Sequence, residues 1–187
     1  MKNAHDDTTL WHKCEACSGI FPKQDMLDAF QVCPKCGHLG YLDVLERIRL
    51  LFDLDSFYEL DQQIASKDVL QFKDTKPYLD RLRDYQKKTG RKSAVLSGAA
   101  RLLGRKIQVG IMGFEFAGGS MGLAEGEKIT RIFERGANLR QPALVVCCSG
   151  GARMQESLYS LLQMAKTASA LRSLKSIGIP YVSLLTH

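Results

Sequence analysis

No stretch of these 187 residues stays apolar for the roughly 20 positions that a membrane-crossing helix requires. The opening, MKNAHDDTTLWHK, lacks the apolar core of a secretory signal and the acid-poor, arginine-rich character of a transit peptide, so the expected setting is the cytoplasm or the interior of an organelle. No G-x-x-x-x-G-K-[ST] run is present, which removes the usual signature of a nucleotide phosphate loop. Histidine is scarce: there are four, none near Cys147 and Cys148. Within ALVVCCSG those two cysteines read as small buried hydrophobes rather than activated thiols.

What is present is an ordinary globular composition, 45% hydrophobic and 25% charged, enough for one sizeable core and a small module. The formal charge of +6 is unevenly spread. Residues 1–52 carry six Lys/Arg against seven Asp/Glu, residues 53–113 twelve against eight, and residues 114–187 eight against five. The positive excess therefore lies outside the N-terminal module.

Four of the six cysteines form CEAC (Cys14, Cys17) and CPKC (Cys33, Cys36), with fifteen residues between the pairs. This is the spacing of a four-thiolate zinc ribbon, in which two tight turns, the second helped by Pro34 and Gly37, and a short β-hairpin converge on one ion. Four thiolates leave no open position on the metal, so the expected role is structural, and so small a module would fold with its metal. Two disulfides are the alternative, disfavoured in a chain without a secretion signal. His12 and His38 are expected at the surface. Nucleic-acid binding by the ribbon, through Phe21, Phe30 or Tyr41, is disfavoured by its negative charge.

Downstream, LDVLERIRLLFD predicts a helix through Leu42, Leu45, Ile48, Leu51 and Phe52. Residues 53–93 are polar, broken at Pro77, with a helix expected from Tyr78 to Thr89 ended by Gly90. Lys87, Lys88, Arg91 and Lys92 form either a solvated face or a polyphosphate contact. From Ala94 two β-like runs surround a Gly-Arg pair and predict a hairpin. A glycine-rich loop (Gly118, Gly119, Gly122), a helix Leu123–Leu139 and a strand Ala143–Cys148 follow. Next comes a helix Arg153–Lys175 with Leu158, Leu161, Leu162, Ala165, Ala168 and Leu171 facing inward, and then a strand in YVSLLT. This order predicts right-handed crossovers and a mostly parallel sheet, with ligands gathering beyond the strand C-termini. Ser149, Gly150 and Gly151 fall there. A Gly-Gly corner at a helix start can turn main-chain N–H groups toward a phosphate or a developing oxyanion, or it can simply be a tight packing turn.

CEAC…CPKC, KDVLQFKDTKPYLDRL, GGSMG and SGGARMQESLYSLLQMAKTASAL together resemble the β subunit of the bacterial and plastid-type acetyl-CoA carboxylase carboxyltransferase, from about Trp11 to His187. The resemblance implies an α/β fold: a four-cysteine zinc ribbon at 10–41, a helical and polar link at 42–93, and at 94–187 the N-terminal part of a crotonase-like (ClpP-like) ββα domain. In that family the carboxyl group of carboxybiotin, held on a biotin carboxyl carrier protein, passes to acetyl-CoA to give malonyl-CoA for fatty acid synthesis. The implied partners are a carboxyltransferase α subunit (as α2β2), the carrier protein and biotin carboxylase, in a bacterial cytoplasm or plastid stroma. The implied thioester site has Gly150 and Gly151 as catalytic amide donors, with Gly118, Gly119, Ser120, Gly122, Ser149, Ala152 and Arg153 binding substrate and Met121 on the adjacent wall. Carboxybiotin and structural Zn2+ are the implied cofactors. The resemblance also implies later strands beyond His187, so this chain alone is expected not to catalyse the transfer. The alternative is a zinc-ribbon module binding nucleic acid or protein, with a non-catalytic crotonase-like remnant.

Overall fold

The computed structural model describes residues 10–186, which fall into two compact units divided between Leu50 and Leu51. In the smaller one, β1 (Trp11–Lys13) and β2 (Ile20–Pro22) form an antiparallel hairpin, with His12 opposite Phe21. The hairpin carries only the first cysteine pair. A short helix α1 (Lys23–Asp28) follows, and the second pair sits in a loop closed by a single bridge between Val32 and Leu39. Both Cys-x-x-Cys turns have the same form: Ser18 N–H donates to the Cys14 carbonyl at 2.9 Å and Gly37 N–H to the Cys33 carbonyl at 2.8 Å. Each donor residue is at positive φ, 55° and 71°, so Ser18 adopts without glycine the geometry that Gly37 adopts easily. Helix α2 (Val44–Leu51) starts with a reciprocal cap, Glu46 N–H on the Asp43 carboxylate and Asp43 N–H on the Glu46 carboxylate, 2.8 Å each.

The larger unit is built on a five-stranded sheet in the order β3-β4-β5-β6-β7. β3 (Tyr58–Leu60), β4 (Val95–Leu102) and β5 (Arg105–Met112) are antiparallel neighbours, while β6 (Ala143–Cys147) and β7 (Tyr181–Leu185) continue from β5 in parallel. The sheet is therefore half antiparallel rather than mostly parallel. β4 and β5 close through Leu103 and Gly104, both at positive φ (51° and 77°), the two-residue geometry that matches strand twist. Asp53 caps this turn, accepting from Leu103 N–H (2.9 Å) and Gly104 N–H (2.7 Å).

The segment 51–93 is part of this unit rather than a link. β3 extends the sheet, Ser66 N–H bonds the Lys92 carbonyl at 2.9 Å, and helix α3 (Tyr78–Thr89) buries Tyr78 and Leu82 against Ala94 and Phe116. α3 has its expected bounds and ends on left-handed Gly90.

Two helices make the parallel crossovers. α4 (Leu123–Leu139) buries Ile129, Ile132 and Phe133, as its spacing predicts. α5 departs from expectation twice. It begins at Leu158, after a single 3-10 turn at Met154–Glu156, and runs to Ser176. Its buried face is Ser160, Gln163, Ala170 and Leu174, whereas Leu158, Leu161 and Leu162 are 62%, 50% and 51% exposed. The cause lies on α4: Gly126 and Gly136 have no side chain between them and Gln163 and Leu174. The helices approach where residues are small, and the leucine stripe is left on the far side.

Candidate functional site

The residues picked out around the glycine corner come from two loops that the structure brings together. One, residues 113–122, follows β5; the other, residues 148–157, follows β6 beyond the C-terminal end of the parallel strand. Gly150 N–H donates to the Gly118 carbonyl (2.8 Å), Met121 N–H to the Gly151 carbonyl (2.8 Å) and Arg153 N–H to the Met121 carbonyl (2.9 Å). Met121 and Ala152 are thus paired as in a parallel sheet. In such a pair the partner bonds the residues flanking Ala152, so Ala152's own N–H and C=O point away from Met121.

The amides of the corner differ in what they do. Gly150 N–H, expected as an amide donor to substrate, is taken up here by the Gly118 carbonyl. Gly151, at φ 104°, donates to the Ser149 hydroxyl at 3.1 Å. Among the described residues nothing accepts from Ala152 N–H. Ser149, Gly150, Gly151 and Ala152 are all exposed, while Gly119 and Gly122 are buried beneath them.

Arg153, expected among the substrate-binding residues, is buried at 1% exposure. Its Nε donates to Ser120 Oγ (3.1 Å) and Nη2 to the Ser120 carbonyl (2.5 Å) and the Glu125 carboxylate (2.9 Å). Nη1 faces Ser66 Oγ (2.8 Å), Tyr78 Oη (3.3 Å) and Glu156 Oε1 (3.3 Å). The Phe116 ring lies against the guanidinium at 5.7 Å. Burial works against the cation, but Glu125 above all, with Tyr78 and Glu156, outweighs it and raises its pKa further. Burial likewise pushes Tyr78 well above the ordinary phenol range, and its donation to Glu156 (2.7 Å) adds to this.

Both carboxylates also cap α4. Glu156 accepts from Leu123 N–H (2.6 Å) and Glu125 from Gly122 N–H (3.0 Å), while Glu125 further holds Ala94 N–H (2.8 Å) and Ser66 Oγ (3.1 Å). The positive helix end at this site is therefore filled by the protein's own anions. α5 starts seven residues past Gly151, so its dipole does not stand directly behind the glycines.

Sequence reasoning missed Ser66, Tyr78, Glu125 and Glu156. Glu125 had a signal, an acidic residue three places after the glycine that starts the helix. Tyr78 and Ser66 had none, since their partners lie 78 and 59 positions away.

In the smaller unit, Cys14, Cys17, Cys33 and Cys36 place their sulfurs within 4.8 Å of one another, a group that could hold a metal ion. All four are free thiols, which sets aside the disulfide alternative. Burial raises the Cys33 thiol, but the N–H groups of Cys36 and Lys35 outweigh it and bring it to about 7. Cys36 accepts from His38 N–H, yet burial and the other sulfurs push it up to about 12. Four clustered sulfurs do not all ionise without a cation.

Residues 38–187 match the carboxyl transferase domain family. The chain is 46% identical over 177 residues to the acetyl-coenzyme A carboxylase carboxyl transferase subunit beta of Citrifermentans bemidjiense, covering 95% of this chain and 63% of that protein. The protein of the same name from Pelobacter propionicus is 45% identical over 186 residues, 100% of this chain and 66% of the relative. The chain thus spans just under two thirds of the length of these relatives. A solved transcarboxylase 12S with methylmalonyl-coenzyme A and methylmalonic acid bound superposes with a TM-score of 0.64 at 26% identity, over 79% of this chain and 26% of its own. The fold is the crotonase-like α/β carboxyltransferase fold that the motifs implied. By the match over most of its length, the chain belongs to the carboxyl transferase domain family.

Proposed function

We propose that this chain is the β-type carboxyltransferase part of a multisubunit acetyl-CoA carboxylase, holding acetyl-CoA while a carboxyl group is delivered to form malonyl-CoA. The shared name of its relatives supports this. The observation that carries the chemistry is the N–H of Ala152, an exposed residue: it donates to no described residue, is turned away from Met121 by their pairing, and is flanked by Gly151 N–H on the Ser149 hydroxyl. Loss of a methyl proton from an acetyl thioester puts negative charge on the thioester oxygen. Donors fixed in advance at that oxygen stabilise the charge by about 3 kcal/mol each.

Ala152 and Gly151 are the proposed donors, and Gly150 fixes their position through Gly118. Gly118, Gly119, Ser120 and Gly122 shape the wall behind. No side chain is assigned as base: Glu125, Glu156 and Tyr78 are turned to Arg153. Carboxybiotin, carried by a partner, would supply the activated carboxyl group. The proposed partners are an α subunit, the biotin carrier and biotin carboxylase. The exposed leucines of α5 support a protein partner over that helix. No described helix is long and apolar enough to cross a membrane, and the bacterial relatives support a bacterial cytoplasm.

The cysteine cluster we assign to structural Zn2+. Tetrahedral metal–sulfur bonds of about 2.3 Å imply sulfurs about 3.8 Å apart, and the structure has Cys14–Cys36 at 3.7 Å and Cys17–Cys33 at 3.8 Å.

Hydrogen exchange with saturating acetyl-CoA tests the reading. Protection is expected at Gly151 and Ala152, stronger with acetyl-CoA than with free CoA. Unchanged exchange across 149–153 would overturn it.

A further inference from the structure

The buried cation beneath the corner has more partners than packing one helix would need. Arg153 reaches Ser66 in the segment before α3, Tyr78 at the start of α3, Ser120 in the first loop, Glu125 in α4 and Glu156 in the turn before α5. Its own main chain is the last link of the pairing that turns Ala152 N–H away from Met121. Its two bonds to Ser120, one to the hydroxyl and one to the carbonyl, fix the residue just before Met121. From these contacts we infer that Arg153 is a positioning residue: its guanidinium locks the 117–122 loop onto the 149–153 loop and so sets where the Gly151 and Ala152 amides point.

The geometry says why arginine is used. Five N–H donors in a planar fork can reach Ser120, Glu125, Ser66, Tyr78 and Glu156 together, with the two N–H groups of Nη1 shared among the last two and Ser66, whereas a lysine ammonium has three donors at one point. Two carboxylates face one guanidinium, and each also accepts a main-chain N–H at the start of α4, Glu125 from Gly122 and Glu156 from Leu123. The lock is therefore anchored to a long helix rather than to a loop. Tyr78 completes it: its hydroxyl donates to Glu156 Oε1 and receives from Nη1, so its loss leaves a buried carboxylate oxygen one donor short and removes one of the three acceptors around Nη1.

The acyl part of this inference rests on the acetyl-CoA reading above, and the test separates the two. Hydrogen exchange without ligand is compared in the wild type, R153K and Y78F. At least tenfold faster exchange is expected at the amides of Met121, Gly150 and position 153 in R153K, and a smaller rise at the same three in Y78F, with exchange in β4 and β5 unchanged. Affinity for acetyl-CoA should fall about tenfold in R153K while affinity for free CoA stays within twofold, because only the acyl end meets the corner. Unchanged exchange at the three amides in both variants would overturn the lock. An equal fall for acetyl-CoA and CoA would overturn its tie to the acyl group. Should R153K fail to fold, Y78F, which removes one hydroxyl, decides by the same readings. A wild type that binds neither ligand defeats the acetyl-CoA reading and leaves the exchange test of the lock standing.

Discussion

A side chain on Gly119 would begin 1.9 Å from the carbonyl oxygen of Cys148. Gly119 also sits at φ 65°, so both the contact and the backbone angle require glycine. Gly118, beside it at φ 63°, has open space where a Cβ would go. Alanine at 118 should cost about 1 kcal/mol from the backbone angle alone, and alanine at 119 about 3 kcal/mol or more, because backbone must move as well. Urea unfolding of the two variants checks the ranking. Equal costs would mean that the loops are not pressed together.

The outward face of α5 makes a second comparison. Leu174 is fully buried and Leu161 half exposed. Leu174→Ala should cost about 2–5 kcal/mol, and Leu161→Ala within about 0.5 kcal/mol. Thermal melts of the two variants would reverse in order if the leucine stripe faced the core.

Leu103 holds a left-handed angle in the β4–β5 turn while 89% exposed. Asparagine tolerates that angle better, so Leu103→Asn should stabilise by about 1 kcal/mol. A higher urea midpoint with an unchanged slope is the expected result.

Glu127 joins α4 to α5 through Lys166 and also holds Arg131 on its own helix. Those two cations hold its carboxyl below the usual range, Lys166 first. A folded pKa below the unfolded one stabilises the fold above the ordinary carboxylate range, and the gain is lost as pH falls through the folded value. The site is partly open to solvent, so the effect is about 1 kcal/mol or less. Stability measured from about pH 7 down to about pH 3 should fall less steeply in Glu127→Gln than in the wild type.

Metal removal tests the cysteine cluster. The purified protein should release one equivalent of Zn2+ to a strong chelator, and the spectral dispersion of residues 10–41 should collapse with it. Acid should release it too, since protons compete for the thiolates. Retained dispersion in metal-free protein would contradict the assignment.

Much of this architecture was legible because it is local. The cysteine spacing, the Tyr78–Thr89 helix with its glycine stop, and the inward face of α4 each depend on neighbours within a turn or two. The face of α5 was not legible, because Gly126 and Gly136 on another helix decide it, and a leucine stripe gives the same pattern whether it meets a core or a partner. Residues 53–93 look like the polar part of a 42–93 link because β3 supplies only three pairs to the sheet and because Asp61, bound to Arg131 and Arg135 at 3.1 and 2.6 Å, reads as one more surface charge. At the candidate site the glycines announced a bend. Which amides the bend leaves unbonded depended on a pairing between Met121 and Ala152 that no local pattern encodes.

Glu156 lies three residues beyond Arg153, and its carboxylate stops the open end of α4 like a cork. An excursion that carries Glu156 with the corner draws this anion out of the helix mouth, exposing Leu123 N–H and stranding the phenol of Tyr78. Departure is thus resisted from a distance, and the resting pose is restored without a spring in the loop itself. A segment carrying several glycines, which would otherwise wander, is kept still by a plug set in a rigid rod.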